Sequence, residues 1–191
     1  HISITEDEKT QAKLEKLNNI KQRIVAKDKV LQNKPNFVIS IVPDKEFNAY
    51  IKLDGSITFT EGLLDKINNE ETLTFVMAHE LGHYANRDCL KHVSRQALAG
   101  LVTSILSGGQ NDTNIAVNSI SNLNALTYSR AQEKQADEYA NKMLYKLYGR
   151  NTGAVEFFKD LEKEEKTPEF LQYFSTHPST HQRLIFITKN K

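Results

Sequence analysis

The chain of 191 residues predicts an α+β fold, mostly helical, with a small β-sheet ending in a hairpin edge beside two polar-faced helices. Three observations carry that expectation. β-rich runs cluster between residues 37 and 60, around the turn signal Asp54-Gly55. Helix-period patterning dominates the remainder. Two of the helical stretches also carry polar side chains at a spacing of four, His79 with His83 and Glu133 with Asp137, which puts each pair on one helix face.

Taken in order, Thr5 to about Gln32 reads as one charged amphipathic helix with a narrow stripe of Leu14, Leu17, Ile20 and Ile24. Phe37–Val42 is a strand ended by Pro43. Residues Phe47–Leu53 and Ser56–Thr60 flank Asp54-Gly55 as a hairpin. The run Thr72 to Ala78 is apolar enough for a buried helix, with Asn68 or Asn69 as its cap. With Asn68 as the cap, Glu71 falls at the third helical position and completes a capping box; the helix ends near Asn86 to Asp88. Ala97–Leu106 is an apolar stretch about half as long as the roughly twenty residues a bilayer crossing takes. Core packing is the expectation for it, with docking onto a partner or a membrane surface as the alternative. Ser107–Asp112 suits the tip of a helical hairpin, whose return helix runs from about Thr113 to Leu147, and a further helix covers Thr152 to Lys163. Length fits one domain: residues 36–191, with 1–35 as a helix packed on it or linking it to something upstream.

Composition narrows the function classes. With 25 basic and 24 acidic side chains, nothing steers the chain toward nucleic acid. The one cysteine, Cys89, forms no internal disulfide and reads as a small buried residue. No signal peptide is present and the first residues are polar, so a processed or truncated form is expected.

Chemistry concentrates in His79-Glu80-Leu81-Gly82-His83. On a helix, His79 and His83 point the same way, and Glu80 lies within about 100° of both. Two neutral imidazoles then hold a zinc ion, an open position holds water, and the Glu80 carboxylate takes the water's proton. That is the working of the H-E-x-x-H signature of zinc peptidases. A third protein ligand is needed. The metzincin positions for it hold Asn86 and Cys89, and His92 would face the opposite side if the helix continued. A carboxylate from a later helix remains: Glu133 as ligand, with Asp137 one turn on to hydrogen-bond a ligating histidine and fix its tautomer.

Four stretches resemble the gluzincin metallopeptidases of the CAAX prenyl protease and HtpX type. Asn48-Ala49 with Gly55-Ser56-Ile57 and Glu61 to Leu64 is similar to that family's strand-and-turn segment; Ala78–His83 to its zinc helix; Ser129–Asp137 to its third-ligand helix; Thr176-His177-Pro178 with Arg183 to its C-terminal His-Pro element. The resemblance implies a zincin-like fold and a zinc-dependent endopeptidase with one Zn2+ per chain, cutting unfolded or extended protein segments. It implies that Asn48, Ala49 and Tyr50 edge the cleft, where a peptide adds as another strand. It implies that His177 stabilises the tetrahedral oxyanion, with direct zinc ligation in a resting state as an alternative. Arg183 and Arg130 are expected as ion-pair partners near the site rather than catalysts. The turn Ile51 to Gly55 departs from the glycine- or proline-rich form of many relatives, which leaves the hairpin geometry open. Relatives carry a signal sequence, lipid anchor or membrane helices upstream, so an upstream anchor and a bacterial periplasmic or membrane-attached location are implied.

Two other classes compete. A zinc-bound but proteolytically weak chaperone or adaptor would bind peptides without cutting, although zinc binding alone would not require Glu80. A structural helical protein with an accidental motif would take up no tight metal.

Overall fold

The chain opens in helices α1 (Glu6–Ala26) and α2 (Lys29–Gln32), followed by strands β1 (Ile39–Val42), β2 (Ala49–Ile51) and β3 (Ile57–Thr60). Helices α3 (Glu61–Lys66), α4 (Glu70–Ala85), α5 (Asp88–Leu106), α6 (Arg130–Tyr148) and α7 (Thr152–Lys163) come next. A 3-10 turn (Pro168–Phe170), α8 (Leu171–Thr176) and α9 (Thr180–Lys189) complete it. This computed structural model describes residues 6–33, 37–106, 127–164, 166–178 and 180–190. The architecture is the expected mostly helical α+β arrangement.

The sheet has the order β1-β3-β2, with β1 parallel to the central β3 and β2 antiparallel to it. The Asp54-Gly55 hairpin is present, with Ala49 opposite Phe59 and Ile51 opposite Ile57. Its turn closes through Lys52 N–H to Ser56 O at 2.9 Å, and Gly55 sits at φ 85°, where a side chain would be strained. The Asp54 carboxylate accepts from the Ser56 backbone and hydroxyl at 2.9 and 2.7 Å, which fixes the turn in the absence of further glycine.

Helix α4 is the axis of the molecule: every residue from Glu71 to His83 is buried. It packs against α6, α7, α1 and the edge strand β2. Phe75 illustrates the density, with rings of Phe157 and Phe158 within 5.7 and 5.6 Å. Gly82 sets the closest approach. A Cβ there would lie 3.0 Å from the Ala136 Cα and 3.2 Å from its carbonyl oxygen, so glycine is what lets α6 come near enough to share a site with α4.

Several expected boundaries are corrected. The first helix is broken at Lys27-Asp28, because the Asp28 side chain accepts from Val30 N–H and Leu31 N–H and starts α2. The first strand begins at Ile39 rather than Phe37. Of the two expected caps, Asn69 is the one that starts α4, so the capping box that Asn68 would have made with Glu71 does not form. Glu71 instead turns its carboxylate to Gly153 N–H at 2.8 Å and to Arg150 at 3.0 Å, which ties the start of α7 to α4. Residues 127–129, expected inside the long return helix, are not helical; Ser129 and Gln132 form a capping box that starts α6 at Arg130. The expected polar tip and the first part of the return helix lie outside the described residues. Core packing for Ala97–Leu106 is also overturned: Leu98, Leu101, Val102, Ile105 and Leu106 are all exposed, Leu106 by 82%.

Candidate metal centre

Each helix delivers its side chain for a local reason. His79 and His83 share the face of α4 that looks toward α6, and Glu133 enters from the first turn of α6, one turn after the Ser129 cap. His177 caps the end of α8, where its own N–H bonds Tyr173 O at 2.8 Å. His79, His83, Glu133 and His177 thereby converge in one buried cluster, with one donor atom from each lying within 4.8 Å of all the others.

The separations are those of a metal's corners. His79 Nε2 is 3.1 Å from His83 Nε2, and His83 Nε2 is 3.2 Å from Glu133 Oε1. The edge of a tetrahedron of zinc–nitrogen and zinc–oxygen bonds is about 3.3 Å. His177 Nδ1 stands 3.3 Å from His79 Nε2 and 3.1 Å from Glu133 Oε1, close to a fourth corner.

Hydrogen bonds from behind orient both rings. His79 Nδ1 faces Asp137 Oδ1 at 2.9 Å and His83 Nδ1 faces Asp88 Oδ2 at 3.0 Å. A carboxylate only accepts, so each Nδ1 carries the proton and each Nε2 turns a lone pair inward. Two lone pairs 3.1 Å apart in a dry interior repel unless a cation lies between them. The residues present therefore fit a bound divalent metal such as zinc.

Electrostatics agree with that polarity. Burial, helped by the Arg183 charge, pushes His79 down to about 4. Burial also disfavours charge on His83, but hydrogen bonds to Asp88 and Glu133 outweigh it and lift the ring to about 9. Without a metal, His83 thus keeps a second proton on Nε2, shared with Glu133, and a divalent cation would displace that proton and take the inward lone pair. Burial opposes the charge on Glu133 too, yet Arg183 and His177 hold its carboxyl well below the usual carboxylate range. Glu80 differs: burial raises its pKa, and one of its oxygens, Oε2, has no hydrogen-bond partner among the described residues. Its other oxygen lies 3.7 Å from His177 Nε2.

Arg183 is the expected ion-pair residue. It grips Asp137 through Nε at 2.8 Å and Nη2 at 2.7 Å, and its Nη1 lies 2.5 Å from Glu133 Oε2. Arg130, by contrast, is exposed, and His92 and His181 stand apart from the cluster, His92 beside Gln96 and His181 on Glu162.

Two residues of the site escaped the sequence reading. Asp88 lies five residues after His83, on the wrong side of any continuing helix; Arg87 at φ 58° breaks the helix and swings Asp88 back under the ring. Tyr128 stacks on His83 with centroids 3.7 Å apart, and its N–H donates to Thr176 O at 3.1 Å, bracing the His177 segment. No local pattern announces a stacking partner 45 residues away; the Asp88 pairing would have been found only by expecting the break.

Asn48, Ala49 and Tyr50 form the start of the edge strand. Asn48 O accepts from Thr60 N–H at 3.1 Å, so by antiparallel alternation the backbone polar groups of Ala49 point to the opposite, outer edge. Asn48 Oδ1 is buried without a hydrogen-bond partner among the described residues. Cys89 packs at the end of this strand, its thiol on Ile51 O at 3.5 Å, and burial pushes that thiol up to about 11, which makes it inert.

Comparison with known proteins gives the same direction. A Vibrio cholerae protein carrying the name beta-barrel assembly-enhancing protease is 27% identical over 185 residues, covering 89% of this chain and 37% of that protein. A Protease HtpX of Legionella pneumophila is 28% identical over 172 residues, covering 69% of this chain and 60% of its own length. A Protease HtpX homolog of Aquifex aeolicus is 27% identical, covering 80% and 65% respectively. The chain thus spans less than two thirds of the length of each. The sequence pattern of Peptidase family M48 matches residues 11–191, and the chain belongs to that family.

Proposed function

We propose that this chain is a zinc-dependent endopeptidase that hydrolyses peptide bonds in extended or unfolded protein segments, in a quality-control role. The observation that carries the reading is the pairing of a metal-shaped donor set with a carboxylate, Glu80, that has a free buried oxygen at its rim. His79, His83 and Glu133 would hold the metal, with Asp137 and Asp88 fixing the two rings. When bound, zinc would acidify a water toward a pKa of about 7 and polarise the scissile carbonyl.

The remaining steps belong to the chain. Glu80 accepts the proton of the attacking water and returns it to the leaving amine, a role its raised affinity for a proton suits. The outer edge of β2 would pair Ala49 N–H and C=O with an extended peptide, and the Asn48 side-chain oxygen with a peptide N–H, once the groups that bury Asn48 and Ala49 move aside; Tyr50 shapes the neighbouring surface. Such backbone pairing asks little of the substrate's sequence, which favours unfolded segments over one defined motif. His177 has two places in the cycle. Its Nδ1 beside Glu133 and His79 supports a resting role at the fourth corner, where it excludes water. Its Nε2 already lies 3.7 Å from Glu80 Oε1, so a ring that swings off that corner would remain beside the reacting water and could donate to the developing oxyanion.

In this reading residues 1–35 brace a peptidase domain of residues 36–191, and the upstream anchor and the periplasmic side of a bacterial membrane are its expected setting. A binding-only chaperone leaves the buried Glu80 Oε2, without a hydrogen-bond partner among the described residues, unexplained. Hydrolysis of a reduced, unfolded protein by the purified chain, with and without a chelator, is the test. Cleavage that stops with the chelator and returns with zinc supports the reading. Peptide binding without cleavage by the metal-loaded chain contradicts it.

A further inference from the structure

The sheet has two outer edges, that of β2 beside the metal centre and that of β1 on the far side. On β1 the backbone groups alternate in direction. Ile57 N–H donates to Val38 O at 2.8 Å, so in the parallel register Ser40 and Val42 also turn toward β3. The N–H and C=O groups of Ile39 and Ile41 therefore point to the outer edge, where they meet no hydrogen-bond partner among the described residues. Proteins ordinarily guard such an edge with charge, proline or a bulge. The run Phe37–Val42 has none of these: it is uncharged, Pro35 and Pro43 lie outside it, and Ile39–Val42 pair with Ile57–Thr60 residue for residue. Val38 stands 62% exposed on the face opposite to buried Ile39.

The two ends of this edge carry opposite charge. Beside its first half lies a cavity of about 670 Å³ between α1, α2 and Phe37–Ile39, in which Lys21 is the one charged lining residue among those described. The Lys21 ammonium donates to Phe37 O at 2.7 Å, so its charge is fixed at that end. Past the second half come Asp44, Lys45 and Glu46, all exposed and net acidic. Asp44 is held at the strand's end by Gly62 N–H, which donates to its carbonyl at 2.8 Å.

We propose that β1 is a self-association edge: two copies of the chain pair their β1 strands antiparallel about a two-fold axis at Ser40, joining two three-stranded sheets into one. In that register Ile39 exchanges both backbone bonds with the partner's Ile41, and Ile41 does so with the partner's Ile39. Val38 comes opposite the partner's Val42, a β-branched pair that covers its exposed side chain. The next outward position, Phe37, meets the partner's Pro43, which has no N–H, and Phe37 O is already taken by Lys21, so the pairing ends there. Just beyond, the partner's Asp44 arrives at Lys21, and symmetry repeats that attraction at the other end. A peptide from another protein would satisfy the same backbone groups, but it gives no reason for the two ends of one strand to complement each other. The strand order β2-β3-β1-β1-β3-β2 keeps both β2 edges outermost, about 24 Å apart, so neither metal centre is covered. This inference does not depend on peptidase activity.

Sedimentation equilibrium of the chain up to about 0.5 mM, with cross-linking alongside, tests this. Ser40→Cys sets two thiols face to face on the axis, within reach of a disulfide. The native Cys89 does not compete, because burial pushes its thiol up to about 11. The expected result is a concentration-dependent monomer–dimer equilibrium, with Ser40→Cys forming a disulfide dimer about tenfold faster than Lys142→Cys on the exposed face of α6. Ser40→Lys, which opposes like charges across the axis, should weaken association about fivefold. Lys21→Glu should weaken it by about the same factor, and adding Asp44→Lys to Lys21→Glu should restore it. Circular dichroism of each variant controls for folding. A chain that stays monomeric at the highest concentration overturns the proposal, and β1 amides protected from hydrogen exchange in that monomer would assign the edge to the chain's own residues. A dimer in which Ser40→Cys links no faster than Lys142→Cys, or in which Asp44→Lys fails to offset Lys21→Glu, also overturns it, because the copies then meet elsewhere.

Discussion

Two consecutive helices of similar apolar content have opposite fates. From Leu73 to Leu81, α4 places every large apolar residue in the core, while α5 leaves every one from Leu98 to Leu106 in the open. Their sequences do not differ enough to say which is which. The chain order does: α4 follows the sheet and is enclosed by α1, α6 and α7, whereas α5 departs at Arg87 and keeps only its first turn in the body. Apolar periodicity therefore locates a helix but not its surroundings. The metal centre sits on the enclosed helix because ligands must be held by packing on all sides. The open helix is left for contact with something else.

The contrast can be broken by substitution, most strongly at the site. Glu80→Gln should lower turnover about 10²–10⁴-fold while the metal content stays at one per chain, because the carboxylate is a base and not a ligand. Unchanged proteolysis would remove Glu80 from the mechanism. Next in size, Phe75→Ala on α4 should cost about 3–5 kcal/mol in a urea titration, whereas Leu101→Ala on α5 should move stability by less than about 0.5 kcal/mol. Equal losses at the two positions would mean that α5 is packed after all. Asp88→Asn should weaken zinc binding about 10–100-fold in a chelator competition, since it removes the acceptor that holds His83. An unaltered affinity would reduce that hydrogen bond to a by-product of packing.

The smallest and most specific contrast uses one substitution twice. Gly82→Ala on α4 forces a methyl against the Ala136 backbone and should destabilise by about 1–3 kcal/mol. Gly100→Ala on α5 meets nothing within 4 Å, and should stabilise by about 0.5–1 kcal/mol by favouring the helix. Thermal unfolding of both variants reads the two signs directly. The same sign at both would place α5 in a crowded environment.

What the sequence disclosed follows a rule of distance. His79, Glu80, His83, Glu133 and Asp137 were legible because helical spacing turns short intervals into shared faces. Arg183 and His177 were reached through resemblance rather than spacing, since no interval rule spans their separation from Glu133. Asp88 was hidden by the break at Arg87, and Tyr128 by the fold itself. Of the two expected caps Asn69 is the one used, and the Asn68–Glu71 capping box is absent because the Glu71 carboxylate bonds Gly153 and Arg150, a tertiary demand that overrode a local motif. The exposure of α5 was missed because an apolar run looks the same whether it is covered or not.

Metal identification on crystals of the chain tests the central claim most directly, using anomalous scattering at the zinc edge together with metal content in solution. The account predicts one zinc per chain, bounded by His79 Nε2, His83 Nε2 and Glu133, retained in Glu80→Gln and lost in Glu133→Ala. A chain that takes up no zinc, or an anomalous peak whose third protein ligand is any residue other than Glu133, would contradict it.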